Sequence, residues 1–172
     1  MGKAGKPASV KLFAAVMYRP DFDLRAALAP LISSYGEIES SYGPVAFSWS
    51  DYYNEEMGGG LLKYYALFRE PLYRARLPEI KNRTNAIERE FSAGGKRTVN
   101  IDPGYLSKDK LVLASTKDFY HRLYLGDGIF GEVTLHYRKG GFRYFSWTYP
   151  DYQEPEFSKF LENGRASANF LT

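Results

Sequence analysis

Five ionisable side chains crowd the seven residues Thr116-Lys117-Asp118-Phe119-Tyr120-His121-Arg122. Folding alone rarely needs such density, because each charge must stay solvated or find a partner. On a loop, Lys117 and Arg122 would offer cationic donors to an anion, and His121 an acid or base. A solvated loop whose charges pair locally is the competing reading. Upstream, Asn100-Ile101-Asp102-Pro103-Gly104-Tyr105 reads as a strand end entering a type II turn. Asp102 either caps that turn or, like Asp118, serves as a base or hard-metal ligand. Two further segments, 49–58 and 147–152, each join a Trp to an Asp-Tyr dipeptide. They could wall a pocket, or seal a core edge with each Asp capping a turn. The expected site therefore gives catalytic roles to His121, Asp102 and Asp118. Asp51, Tyr52, Asn100, Lys117, Arg122, Tyr149 and Asp151 would contact the ligand.

Other motifs fail on context. Gly126-Asp127-Gly128-Ile129-Phe130-Gly131 fits G-x-G-x-x-G, but Val133 to Tyr137 continues as a strand instead of opening the helix that a pyrophosphate needs. The same stretch fits the kinase glycine loop, yet no His-Arg-Asp or Asp-Phe-Gly follows it. A tight hairpin through Asp127-Gly128, with a bulge at Gly131, is the plainer expectation. Ser92 to Thr98 runs from helix to strand, the reverse of a phosphate-binding loop. With no Cys, thiolate chemistry and disulfide frameworks are excluded. His121 and His136 stand at no zinc-motif spacing, so zinc is not expected, while Mg²⁺ held by Asp or Glu stays open. No G-x-S-x-G elbow supports a serine triad.

Hydrophobic periodicity gives the elements that must position these groups. Lys11 to Tyr18 reads as a buried strand. A helix capped by Asp21 or Asp23 follows, stopped by Gly36, with Pro30 expected to kink it or end it near Ala29. Glu37 to Trp49 and Leu61 to Arg69 read as extended. Pro78 to Phe91 is a helix with Ile80, Thr84, Ile87 and Phe91 on one stripe and Lys81, Arg83, Glu88 and Arg89 on the rest. Strands are expected at 98–101, 110–116, 121–125, 129–138 and 142–148, with alternation placing Glu132, Thr134, His136 and Arg138 on one face. A short helix should span 155–161. The fold class is α+β: a largely antiparallel sheet with two main helices on one face, ferredoxin-like order at the start and a C-terminal β-meander.

The chain has 172 residues, 44% hydrophobic and 25% charged, which suits one domain and excludes a wholly disordered chain. Residues 1–9 are expected to be disordered and 165–172 frayed. No apolar run reaches the ~18 residues of a membrane helix, and the first nine residues lack a signal-peptide core, so a cytoplasmic location is expected. A net charge of +3 is weak support for nucleic-acid binding. Basic residues do, however, gather between Arg74 and Arg97.

Asp51-Tyr52-Tyr53 with Glu56-Met57-Gly58, Asn100 to Leu106, Thr116-Lys117-Asp118 with His121 to Leu125, Glu132 to Leu135, and Trp147 to Tyr152 stand in an order that resembles the bacterial family called domain of unknown function 4416. The resemblance spans about Val10 to Phe160. It implies a single-domain cytoplasmic protein and names no reaction. Some members carry a GTP-binding label, which is not expected to apply, because Thr116-Lys117-Asp118 lacks the spacing of Asn-Lys-x-Asp and no phosphate-binding loop is present. The leading expectation is a protein that binds a small anionic ligand such as a nucleotide or sugar phosphate, with hydrolysis or modification of that ligand left open. The alternatives are a nucleic-acid module using helix 78–91 and a homo-oligomeric structural protein.

Overall fold

In the computed structural model, which describes residues 2–168 and 170, β1 (Val10–Tyr18) is buried along its whole length. A strand of this kind must be central and covered on both faces. It pairs antiparallel with β3 (Leu62–Leu72) on one side and β4 (Val99–Leu106) on the other, and β2 (Ile38–Ala46) lies outside β3. Helix α1 (Leu24–Tyr35) connects β1 to β2, and α3 (Leu77–Glu90) connects β3 to β4; the short α2 (Asn54–Met57) lies between β2 and β3. The order β2-β3-β1-β4 with two crossover helices is the ferredoxin-like unit expected from the sequence. The sheet continues through β5 (Lys110–Ser115), β7 (Ile129–Arg138) and β6 (Leu123–Gly126), and β8 (Gly141–Tyr144) shares the outer edge of β7. Eight largely antiparallel strands with a meander-like C-terminal part thus make an α+β fold. Helix α4 (Pro155–Ala166) follows, five residues longer than its sequence pattern indicated.

Strand alternation divides the core in two. Leu12, Ala14 and Val16 face α1 and α3, packing with Leu28, Leu31, Ile80 and Ile87. Phe13 and Ala15 face the other way, with Tyr65 and Leu67, against Tyr152, Phe157 and Leu161. Both main helices lie on one face, as expected, and α4 covers the opposite one. Each large side chain buried this way contributes about 1.5–3 kcal/mol, so the centre of the sheet is pinned from both sides.

Three local expectations are corrected. Pro30 does not end α1: the hydrogen bond it forfeits belongs to the Ala26 carbonyl at a half-exposed position, while Ala27, Leu28 and Leu31 bury around it. Asp102-Pro103-Gly104 is strand, not turn. Pairing with β5 begins only at Gly104, so Pro103 directs its nitrogen toward an edge with no neighbour and costs no ladder bond. Gly104 lets β5 close in, since an added Cβ would stand 2.3 Å from the Val112 carbonyl oxygen. The third correction is in β7, where Leu113 opposes Glu132 but Leu111 opposes Leu135. This bulge leaves Glu132 and Leu135 on one face and turns His136 to the other.

Candidate functional site at the fork between β4 and β5

Because β5 leaves β4 at Gly104, residues 99–103 of β4 form one arm of a fork in the sheet. Side chains of α3 replace the missing strand: the Ile101 N–H donates to Glu88 Oε1 at 2.8 Å, and Lys81 Nζ donates to the Ile101 carbonyl at 2.9 Å. Lys81 also donates to Asp102 Oδ1 at 3.0 Å, and Asn100 Nδ2 to Asp102 Oδ2 at 2.8 Å. Arg97 completes the ring, donating to Asn100 and Glu88 and holding Glu56 with a two-pronged contact. These groups have different proton affinities. Burial pushes the Glu88 carboxyl up, and the Lys81 charge only partly offsets it. Burial also pushes Asp102 up, but the charges of Lys81 and Lys63 and the hydrogen bonds from Lys81 and Asn100 outweigh it, holding this carboxyl below its ordinary value.

A strap of chain, residues 147–152, crosses above the fork on the α4 face. At one end Thr148 Oγ1 donates to the Thr134 carbonyl at 2.6 Å and Trp147 Nε1 to the Val133 carbonyl at 3.1 Å, filling the gap between β6 and β8. At the other end Asp151 Oδ2 accepts from Lys63 Nζ at 2.5 Å and from the Tyr65 hydroxyl at 2.8 Å on β3. Beneath it, burial and then the charges of Asp151, Asp102 and Glu132, with the neighbouring Tyr65 phenol, drive the Tyr152 phenol well above its ordinary value. Tyr152 is only 2% exposed, and its hydroxyl has no hydrogen-bond partner among the described residues. Among the described residues, the sealed polar atoms without partners are Ser40 Oγ, Arg74 Nε and His121 Nδ1. The Asp102 side chain is 33% exposed although its surroundings desolvate it. Tyr53 flanks the same spot: burial, then Asp102 and Tyr149, push its phenol up.

Of the residues expected from sequence, Asn100, Asp102, Tyr149 and Asp151 gather here. Lys117 and Tyr52 meet at the rim, with Nζ 3.1 Å from the hydroxyl and 4.9 Å from the ring centre. Arg122 is buried, donating to Glu132, Ser115 and the Lys117 carbonyl, so it pins the loop and is not free to hold an anion. His121 Nε2 lies 3.2 Å from Glu132 Oε2. Two acids are not brought in. Asp51 accepts from Asn54 Nδ2 at 2.7 Å in the turn that opens α2, and Asp118 is exposed with no partner among the described residues. Tyr152 lies in the 147–152 segment expected to wall a pocket, whereas Lys63, Lys81, Glu88 and Arg97 were not expected at the site. Their signal was present: Lys81, Thr84 and Glu88 repeat at helical spacing beside Ile80 and Ile87, and Lys63 stands in an apolar strand. No group of three or more His, Asp or Glu that could hold a metal ion occurs among the described residues.

A family model described as Domain of unknown function (DUF4416) matches residues 8–167. The chain belongs to that family. The match takes in the fork, the strap and α3 together, so the whole site lies within the family's domain. No curated protein and no solved structure matches the chain. No helix among the described residues is long and apolar enough to cross a membrane.

Proposed function

We propose that the fork binds a small, hydroxyl-rich anionic ligand of the sugar-phosphate class. The observation that carries this reading is that a one-third exposed Asp102 carboxylate stands close enough to the Tyr152 and Tyr53 phenols to raise the proton affinity of both. An ionised carboxylate held below its ordinary range is a strong hydrogen-bond acceptor and a weak base near neutral pH, so Asp102 suits binding better than proton abstraction. Phenols pushed up are neutral donors, which Tyr152 and Tyr53 supply. Acceptor and donors around exposed tyrosine faces match alternating hydroxyl groups on a ring. The cations of the depression already hold carboxylates: Lys63 has Asp151, Lys81 has Asp102, and Arg97 has Glu56 and Glu88. Lys117, whose contact is the neutral Tyr52, is the rim cation that remains for a phosphate.

The nucleic-acid alternative has less support, because Lys81 is buried against Asp102, Arg76 pairs with Glu79 and Arg97 is enclosed, leaving Arg83, Arg89 and Lys96 exposed. Calorimetric titration with glucose phosphate, free glucose, inorganic phosphate and duplex DNA separates the readings. Glucose phosphate should bind more tightly than either of its parts. Lys117→Met should weaken glucose phosphate about tenfold and leave glucose unaffected. Salt-sensitive binding of DNA with no response to the sugar phosphate would instead favour the basic helix.

A further inference from the structure

The opposite face of β5 and β7 carries a separate cleft that the fork does not use. On this face α3 covers only one end, where Leu77 packs with Ala114 and Ile129. Over the remainder a cavity of about 530 Å³ stays open, within the range of roughly 300–1,000 Å³ usual for organic ligands. Its floor is apolar, formed by Val112 and Val133, with Leu123 at the mouth. One wall is aromatic: Trp147 and Phe145 stack with ring centres 4.6 Å apart and planes 3° apart, His136 stands edge-on to Phe145, and His121 lies flat against Trp147 at 5.1 Å.

The charges around this cleft do not cancel. Asp109 is occupied by Lys110 at 3.1 Å and by the Ser107 hydroxyl, and Glu132 by Arg122. Arg74 donates to the Ala8 carbonyl at 3.0 Å and lies over the Tyr105 ring, and it has no carboxylate partner among the described residues. Its Nε is buried without a hydrogen bond. His121 also leaves a buried ring nitrogen without a partner, here an acceptor rather than a donor. A carboxylate can only accept, so the ring nitrogen facing Glu132 carries the hydrogen and Nδ1 is the one left without a partner. Among the described residues, two of the three buried polar atoms that lack a partner therefore belong to residues lining one cavity. Buried polar groups are ordinarily satisfied, and clustered exceptions point to a missing partner.

We propose that this cleft binds a small organic anion with a flat apolar body, a carboxylate or phosphate directed to Arg74 and a ring lying along the Trp147–Phe145 wall. Such a ligand supplies what the cleft lacks: a negative charge for the unmatched guanidinium and an apolar surface for the floor. The reading does not rest on a ligand at the fork, although Trp147 of the strap forms part of this wall.

The test is an amide and indole chemical-shift titration of the full chain with naphthoate, naphthyl phosphate and the neutral naphthylmethanol. Both anions should shift Val112, Val133 and the Trp147 indole and bind at least tenfold more tightly than the alcohol. Arg74→Gln should remove that preference while leaving the alcohol's affinity unchanged. A second variant, Leu123→Trp, alters a residue 75% exposed at the mouth and should weaken all three compounds without loss of fold. Equal affinity for the alcohol and the anions overturns the proposal. So do shifts that map to Asp102 and Tyr152 instead, or shifts that follow protein concentration rather than ligand, which would mark the face as a contact between two copies.

Discussion

At the residue scale, the Lys81–Asp102 pair is where structure and site depend on one side chain. Asp102→Asn removes the ionised partner of a lysine that is only 6% exposed. Leaving a buried charge short of its partner should cost about 2–3 kcal/mol, read as a lower urea midpoint at pH 7. Tyr152→Phe, by contrast, deletes a hydroxyl with no partner among the described residues and should change stability by less than about 0.5 kcal/mol. The pH dependence follows from the directions of the shifts. Asp102 and Glu56, the latter held down first by its hydrogen bonds from Arg97, have folded values below their unfolded ones. Their stabilisation is present above the ordinary carboxylate range and is lost as pH falls through the folded values. Glu88 is raised, so its contribution runs the other way and grows as pH falls through its folded value. Because lowered groups outnumber the raised one in this ring, the urea midpoint should drop below about pH 4, and Asp102→Asn should flatten that drop. An unchanged acid limb in this variant would contradict the assignment.

At the scale of elements, the fork exists because one short sequence does two jobs. Pro103 faces the unpaired edge, and Gly104, one residue on, admits β5. Gly104→Ala would drive a Cβ into the Val112 carbonyl and should destabilise by at least about 3 kcal/mol, or abolish folding, as a thermal melt would report. The same short range explains what the sequence could reveal. Strand β7 was legible to its ends, yet its bulge was not, because nothing within β7 itself specifies which residue faces a partner twenty residues away. The Asp-Pro-Gly triplet has turn chemistry, and only the neighbouring strand's departure makes it extended. Asn100, Asp102, Tyr149 and Asp151 were recognisable as polar groups beside aromatics. Their partners Lys63 and Lys81 were not, since a lysine on a helix or strand reads as solvated until topology buries it.

Across the whole molecule, β1 serves both cores, one built with α1 and α3 and one with α4. Phe157 is fully buried in the second, and Phe157→Ala should cost about 3–5 kcal/mol. Since the two cores share a strand, fluorescence and far-ultraviolet dichroism should report one coincident unfolding transition, and separate transitions would show that the faces fold independently. The two sites differ in charge, the fork being paired and the cleft holding an Arg74 without a carboxylate partner among the described residues. The most direct measurement of the central claim is a calorimetric titration of glucose phosphate into the native protein and into Tyr152→Phe. Binding to the native protein that weakens about tenfold in a variant of unchanged stability is the result the fork requires. Equal affinity for the two proteins, or no heat with either, would contradict it.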